Sequence, residues 1–248
     1  SCLAHRGPRV DKYDFLCAVY SRSPVPPVIL FGQFSLLAYM LCAFHETIDA
    51  FAEYRYLLDF YSSSCHYAEG ADKLYQVACL MREEGKEVMF VRFENTVDVR
   101  RAFETCVLRA PGAKWVPEAL LTIGRLREDE GRYVEAVKVY ENLRNLHPGS
   151  EEAKVSYLRE AEDRMVMVHE WGYNRSRCRD TIGFLKLALR GCREEDAAVI
   201  KEMLSETEAW LENEAYAGAK FYDSPTRTKR SAINAYEKFL KEYPDCVH

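Results

Sequence analysis

Histidine, cysteine and clustered carboxylates are the residues that would carry chemistry in this sequence, so their spacing is weighed first. The six histidines stand at positions 5, 45, 66, 147, 169 and 248. No two show the H-x-x-x-H spacing that puts imidazoles on one helix face to bind a metal, and they fall in different predicted elements. The nine cysteines include no C-x-x-C pair, which leaves a disulfide framework or a zinc site without an anchor. Cys42, Cys79 and Cys106 instead fall on apolar helix faces, where a thiol behaves as a small hydrophobe. No G-x-S-x-G elbow, phosphate-cradling glycine loop or H-E-x-x-H occurs. The run Glu128-Asp129-Glu130 lies at a predicted helix end, where carboxylates are expected to form a solvated face. The expectation is a chain with no catalytic residues, no metal and no cofactor.

Composition narrows the class further. The chain has 248 residues, 48% hydrophobic and 29% charged, which is ordinary for a folded domain. A net charge of -5 supplies no basic face for nucleic acid. With 12 Gly and 9 Pro there are too few turn formers for a sandwich or barrel. The apolar stretch Val28–Phe44 is short for a membrane span, contains Gln33 and Ser35, and follows Pro26-Pro27. Any membrane attachment is therefore expected through lipid only. The chain starts Ser-Cys without a charged leader, so processing upstream is expected. Cys2 is either a lipid-bearing residue or an ordinary thiol.

The elements that position all these groups are helices. In Pro117–Pro148, "PEALLTIGRLREDEGRYVEAVKVYENLRNLHP", Leu120, Ile123 and Leu126 form one apolar stripe. Tyr133, Ala136, Val137, Tyr140 and Leu143 form a second. Gly131 separates the two blocks and Pro148 stops the second. Gly124 occupies the small position where the two helices cross. The same theme recurs elsewhere with small residues at Ala38, Ala50, Ala78 and Ala161, and it returns near the end as Ala232, Tyr236 and Pro244.

This pattern resembles the tetratricopeptide repeat, a helix–turn–helix unit of about 34 residues that buries its apolar face only by stacking on copies of itself. The resemblance implies an all-α fold: a right-handed superhelix of about five such pairs. The pairs are expected near 31–64, 66–111, 114–148, 150–190 and 195–244, with residues 1–30 as an N-terminal cap or extension. Helix 31–43 is apolar nearly all round and needs cover, for which Tyr13–Tyr20 is the nearest candidate. "EVMFVRF", 87–93, has strand-like character and is expected to be an extended excursion.

Two stretches are more particular. "AFHETIDAFAEYRYLLDFYSSSCHYAEGADKLYQVACLMREEG" (Ala43–Gly85) and "AYAGAKFYDSPTRTKRSAINAYEKFLKEYPD" (Ala215–Asp245) resemble the first and last repeats of the BamD (YfiO) outer-membrane assembly lipoproteins. That resemblance implies a scaffold held by lipid on Cys2 at the periplasmic face of a bacterial outer membrane, with a β-barrel assembly protein as partner. The sequence departs from the family pattern at Ser62-Ser63, at 87–93 and over the first 30 residues. The other reading of the same repeats is a general adaptor or chaperone in another compartment, such as the cytoplasm.

In a repeat array the first helices line the concave face that receives peptides. By register that face presents Tyr39, Asp72, Tyr75, Arg82, Leu121, Arg125 and Glu128. Tyr75, Arg82 and Arg125 are the anchor candidates, because aromatic residues and arginine dominate interface hot spots. The basic runs Asn174–Arg179 and Arg227–Arg230 either meet an acidic partner or lipid headgroups, or pair with neighbouring glutamates.

Overall fold

The computed structural model describes residues 47–61, 66–87, 92–170, 174–223, 228–244 and 246. Among them there are nine α-helices and no strand: α1 (Thr47–Phe60), α2 (Tyr67–Glu87), α3 (Arg92–Arg109), α4 (Val116–Asp129), α5 (Tyr133–Leu146), α6 (Glu151–Glu170), α7 (Arg175–Gly191), α8 (Ala197–Tyr222) and α9 (Lys229–Glu242). The fold is all-α and built of helix pairs, as the spacing predicts. The expected helix 31–43, its cap at 13–20, Cys2, Ala38 and Tyr39 lie outside the described residues. The extended excursion is corrected at three positions: Glu87 ends α2, while Arg92 and Phe93 open α3. Charged residues flank that stretch on both sides, and the helical stripes of α2 and α3 outweigh the local alternation. Residues 88–91 lie outside the described residues.

Two compact units divide the chain, Ser1–Glu87 and Val88–His248. In the first, α1 packs on α2. Ala50, Tyr54, Leu57 and Leu58 repeat at helical spacing along α1, and Leu74, Val77, Ala78 and Met81 do so along α2; all are buried.

In the second unit every helix packs on the next in sequence, from α3 to α9. Contacts also skip one helix: α4 meets α6, and α6 meets α8. These are the first helices of successive pairs, so one layer of first helices stacks side by side while the second helices pack behind them. Each pair alone would leave its apolar stripe in water; stacking covers it.

The α4–α5 pair shows how the sequence makes the unit. Pro117 lies in the first turn of α4, where its missing N–H costs nothing. The helix ends in a Schellman motif: Gly131 N–H donates to the Glu128 carbonyl and Arg132 N–H to the Arg127 carbonyl, both at 2.8 Å. This requires the left-handed conformation at Gly131, whose φ is 71°. At the far end of α5, Pro148 cannot continue the helix, and Ser150 Oγ accepts from Ala153 N–H at 3.1 Å to cap α6. Between the two axes, the position of Gly124 faces the Tyr140 ring, which is fully buried. Any Cβ there would overlap that ring.

Gly124→Leu should therefore cost about 3 kcal/mol or more, because neither helix can back away without opening the stack. Glu141→Gln should stay within about 0.5 kcal/mol, since Glu141 makes only a 3.4 Å surface pair with Arg164. Thermal melts of the two variants compare them directly, and similar losses would overturn the crossing assigned to Gly124.

Candidate protein-binding surfaces

The residues expected on the peptide-receiving face fall into different environments. In the first unit, Asp72, Tyr75 and Arg82 share one face of α2, being three and seven residues apart. Asp72 is exposed and the other two are half-buried; none is free of partners. In the second unit Arg125 is exposed on α4, whereas Leu121 is 7% exposed and belongs to the packed interior. Among the residues chosen as repeat markers, Ala50, Ala78, Gly124, Ala136 and Tyr140 are buried and Tyr133 is half-buried. Gly131 and Pro148, at the two turns, are exposed. Ala232 and Tyr236 are half-buried on α9, and Pro244 lies just past its end.

Glu128 requires a correction. The carboxylate run is not a solvated face: only Asp129 is exposed. The Glu128 side chain is 12% exposed and accepts from the Tyr140 hydroxyl and from Arg159 on α6, the latter at 2.5 Å. Glu130 accepts from Arg100 Nε on α3 at 2.7 Å. Arg127 spans Glu104 on α3 at 2.8 Å and Glu135 on α5 at 2.7 Å. A helix end that would be solvated in isolation is here the meeting point of α3, α4, α5 and α6. Its charges join helices and are not available to a ligand.

A second buried set joins α5 to α6 and α7. Glu160, with no exposed surface, accepts from Arg144 and, at 2.7 Å, from Arg164 Nε. Arg144 also donates to Ser156 Oγ at 3.0 Å, and its guanidinium lies 4.6 Å from the centre of the Tyr157 ring. Arg164 lies 4.5 Å from the Phe184 ring centre on α7. Two cations on one carboxylate, each stacked on an aromatic face, satisfy the charge without water.

Asp163 is the buried acid without a cation of its own. It is 3% exposed, its Oδ2 has no hydrogen-bond partner among the described residues, and Arg159 beside it is already engaged by Glu128 and Glu162. Burial foremost, then the negative charge of Glu128, pushes its pKa up to about 8; Arg159 opposes the shift, and Glu160 and Glu162 add to it. Glu128 is also raised, chiefly by burial. Burial first, and then the charge of Glu128 that accepts its hydrogen bond, hold the neighbouring Tyr140 hydroxyl protonated.

Among the described residues of the second unit a groove lies between α8 and α9. Of about 410 Å³, it is floored by Ala215, Gly218 and Ala219 of α8 and Ala235 of α9. Phe221, Tyr222, Phe239, Lys238 and Glu242 also line it, and the Arg175 guanidinium lies 3.4 Å from where a Cβ on Gly218 would stand. Tyr216 packs on Phe239 at 5.6 Å and on Tyr236 at 6.3 Å, which sets the spacing of the two helices. Phe221 is 62% exposed. Of the basic run at 174–179, Arg175 is held by Glu214 and Arg179 by Glu242 at 2.8 Å, so these two pair with neighbouring glutamates. Residues 224–227 lie outside the described residues. The sequence reading missed this groove, whose only signal is the small-residue spacing of "AYAGA" ahead of two aromatics.

Among the described residues no helix is long and apolar enough to cross a membrane.

The stability of the α4–α6 junction should depend on pH through Asp163. Below about pH 4 the carboxyl is protonated in folded and unfolded chains alike. Between there and about 8 the unfolded chain loses this proton while the folded chain keeps it, so stability falls as pH rises and levels off above the folded pKa. Asp163→Asn should remove that slope, on the order of 1 kcal/mol per pH unit, and so gain on the wild type from pH 5 to pH 8. Parallel denaturation curves for the two proteins across that range would overturn the assignment.

The tetratricopeptide repeat family model matches residues 118–150, from the third residue of α4 through α5 to the turn that follows it. No curated protein matches the chain. Residues 118–150 thus carry the pattern of one tetratricopeptide repeat, set in an all-α array whose helices pack in sequence order and in which α4 meets α6 and α6 meets α8.

Proposed function

We propose that this protein is a non-enzymatic scaffold that holds a protein partner through a segment docked on its helical-repeat surface. The observation that carries this reading is the groove between α8 and α9, in an array whose buried charges are spent on joining helices. Its volume suits a few side chains of a peptide, and its wall of Phe221 and Tyr222 supplies the aromatic contacts that dominate interface energetics. Tetratricopeptide repeats serve as protein-binding surfaces in the same way. Selection of displayed random peptides against the full chain should enrich sequences that, made synthetically, bind one to one with micromolar affinity in calorimetry. Failure to enrich any such peptide would overturn the reading.

The finer reading places the scaffold in outer-membrane β-barrel assembly. It is supported by the resemblance of Ala43–Gly85 and Ala215–Asp245 to the BamD family, stretches that include α1, most of α2, the end of α8 and all of α9. In that setting lipid on Cys2 would anchor the chain at the periplasmic face, and the partner would be a barrel-assembling protein. The other setting is an adaptor or chaperone elsewhere. Expression with the native upstream sequence in a bacterium that has an outer membrane separates them. Fatty-acid label on Cys2 and loss of membrane fractionation in Cys2→Ser are expected for the first; an unlabelled protein outside the membrane fraction would overturn it.

A further inference from the structure

The α8–α9 pair repeats the residue pattern of the α4–α5 pair. Ala136, Tyr140 and Pro148 recur as Ala232, Tyr236 and Pro244, and α5 and α9 are both 14 residues long. In this register Val137 corresponds to Ile233, Glu141 to Glu237 and Arg144 to Leu240. The polar contact across the pair recurs as well. The Tyr140 hydroxyl donates to Glu128 near the end of α4, and the Tyr236 hydroxyl donates to Asp223, just past the end of α8, at 3.5 Å.

On the α4–α5 pair this flank is covered by α6. Arg159 pairs with Glu128, Arg164 meets Glu141 at 3.4 Å, Glu160 accepts from Arg144, and Val137 is 8% exposed. On the α8–α9 pair the same flank meets no described helix. Ile233 is 56% exposed and Leu240 53%. Asp223 and Glu237 are exposed and have no ion-pair partner among the described residues. The flank lies on the opposite side of α9 from Ala235, Lys238 and Glu242, which line the groove.

We infer that this flank takes an amphipathic helix of a partner protein, stacked as α6 stacks on α4–α5. Two arginines of that helix meet Asp223 and Glu237, and two apolar side chains seven residues apart cover Ile233 and Leu240. The inference rests on the scaffold reading but not on the groove. Lys220, Lys229, Arg230 and Lys241 lie around the flank, so recognition comes from where each carboxylate stands and not from a net field. Where α6 brings Glu160 to Arg144, the partner brings an apolar residue, because a carboxylate set on Leu240 would lose water and gain no cation. A second copy of the chain fits less well. With Ile233 and Leu240 exchanging contacts across a two-fold axis, Glu237 would stand beside its own copy.

The probe is an alanine-rich helix as long as α6, held helical by a side-chain lactam. It carries Arg159, Arg164 and Met167 of α6 in register, with Glu160→Leu. In fluorescence anisotropy it should bind the full chain one to one. Affinity should fall at least about tenfold on Leu240→Asp and on Glu237→Arg. It should be unchanged by Glu118→Arg, the same charge change at an exposed site on α4. A probe with glutamate in the place of Arg164 should regain binding to Glu237→Arg. Leu240 and Glu237 are exposed, so both variants should keep the helical circular dichroism of the parent. Binding that ignores Leu240→Asp and Glu237→Arg would overturn the inference. So would no binding, the outcome if a segment of the chain itself covers the flank, or a dimer in sedimentation that Leu240→Asp dissociates. Any of these leaves the scaffold reading standing if random-peptide selection still enriches binders.

Discussion

The fold of the second unit depends on one close approach, that of α4 and α5 at Gly124 and Tyr140. The glycine leaves a gap one side chain wide, and the buried tyrosine ring fills it. A buried hydroxyl must find an acceptor, and Glu128 provides it from α4. Burying Glu128 in turn demands a cation, which Arg159 brings from α6. A steric fit between two helices thus recruits a third through the polar groups it forces underground. The same device recurs between α6 and α7 with the partners exchanged, since the position of Gly191 at the end of α7 faces the Tyr157 ring of α6. Tyr157 also offers its face to Arg144 of α5, so this contact too reaches into the neighbouring pair.

These polar junctions explain why the stack has a defined register. Apolar stripes such as those of α4 and α5 are wide and forgiving, and they alone would tolerate sliding by a turn. Arg100, Arg127 and Arg144 are not forgiving, because each must meet a particular carboxylate. Buried ion pairs add little net stability over a well-packed apolar core. What they do here is penalise every arrangement in which a charge is left alone. Asp163, which has no cation of its own, takes the other escape open to a buried acid and keeps its proton.

The demand differs along the array. Within the array the charges are consumed by neighbouring helices. At α9 there is no further described helix to consume them, and Ile233 and Leu240 are 56% and 53% exposed. Among the described residues the α8–α9 pair keeps a groove between its helices and, on α9, lysines without an ion-pair partner.

The sequence by itself determined the helical stripes and the ends of α4 and α5, though not the ends of α2 and α3 at 87 and 92. Period, glycine and proline act within one or two turns, and Gly131, Pro148 and the Tyr133–Leu143 stripe are local facts that any chain with those residues would obey. It also determined the crossing at Gly124, because a small residue opposite a large one is legible from spacing alone. Which polar residues face water was decided only by the tertiary structure. Glu128 and Glu130 read as solvent-facing because their own helix ends there, and Leu121 read as surface because its register faces outward in one isolated pair. The first reading fails once Arg159 of α6 and Arg100 of α3 reach these carboxylates, and Leu121 is buried in the packed unit. The α8–α9 groove is of the same kind, since a concavity belongs to two helices at once and its charge depends on which carboxylates α8 and α9 bring to Arg175 and Arg179. A residue's spacing is fixed by its neighbours in the chain, whereas its exposure is fixed by what folds against it.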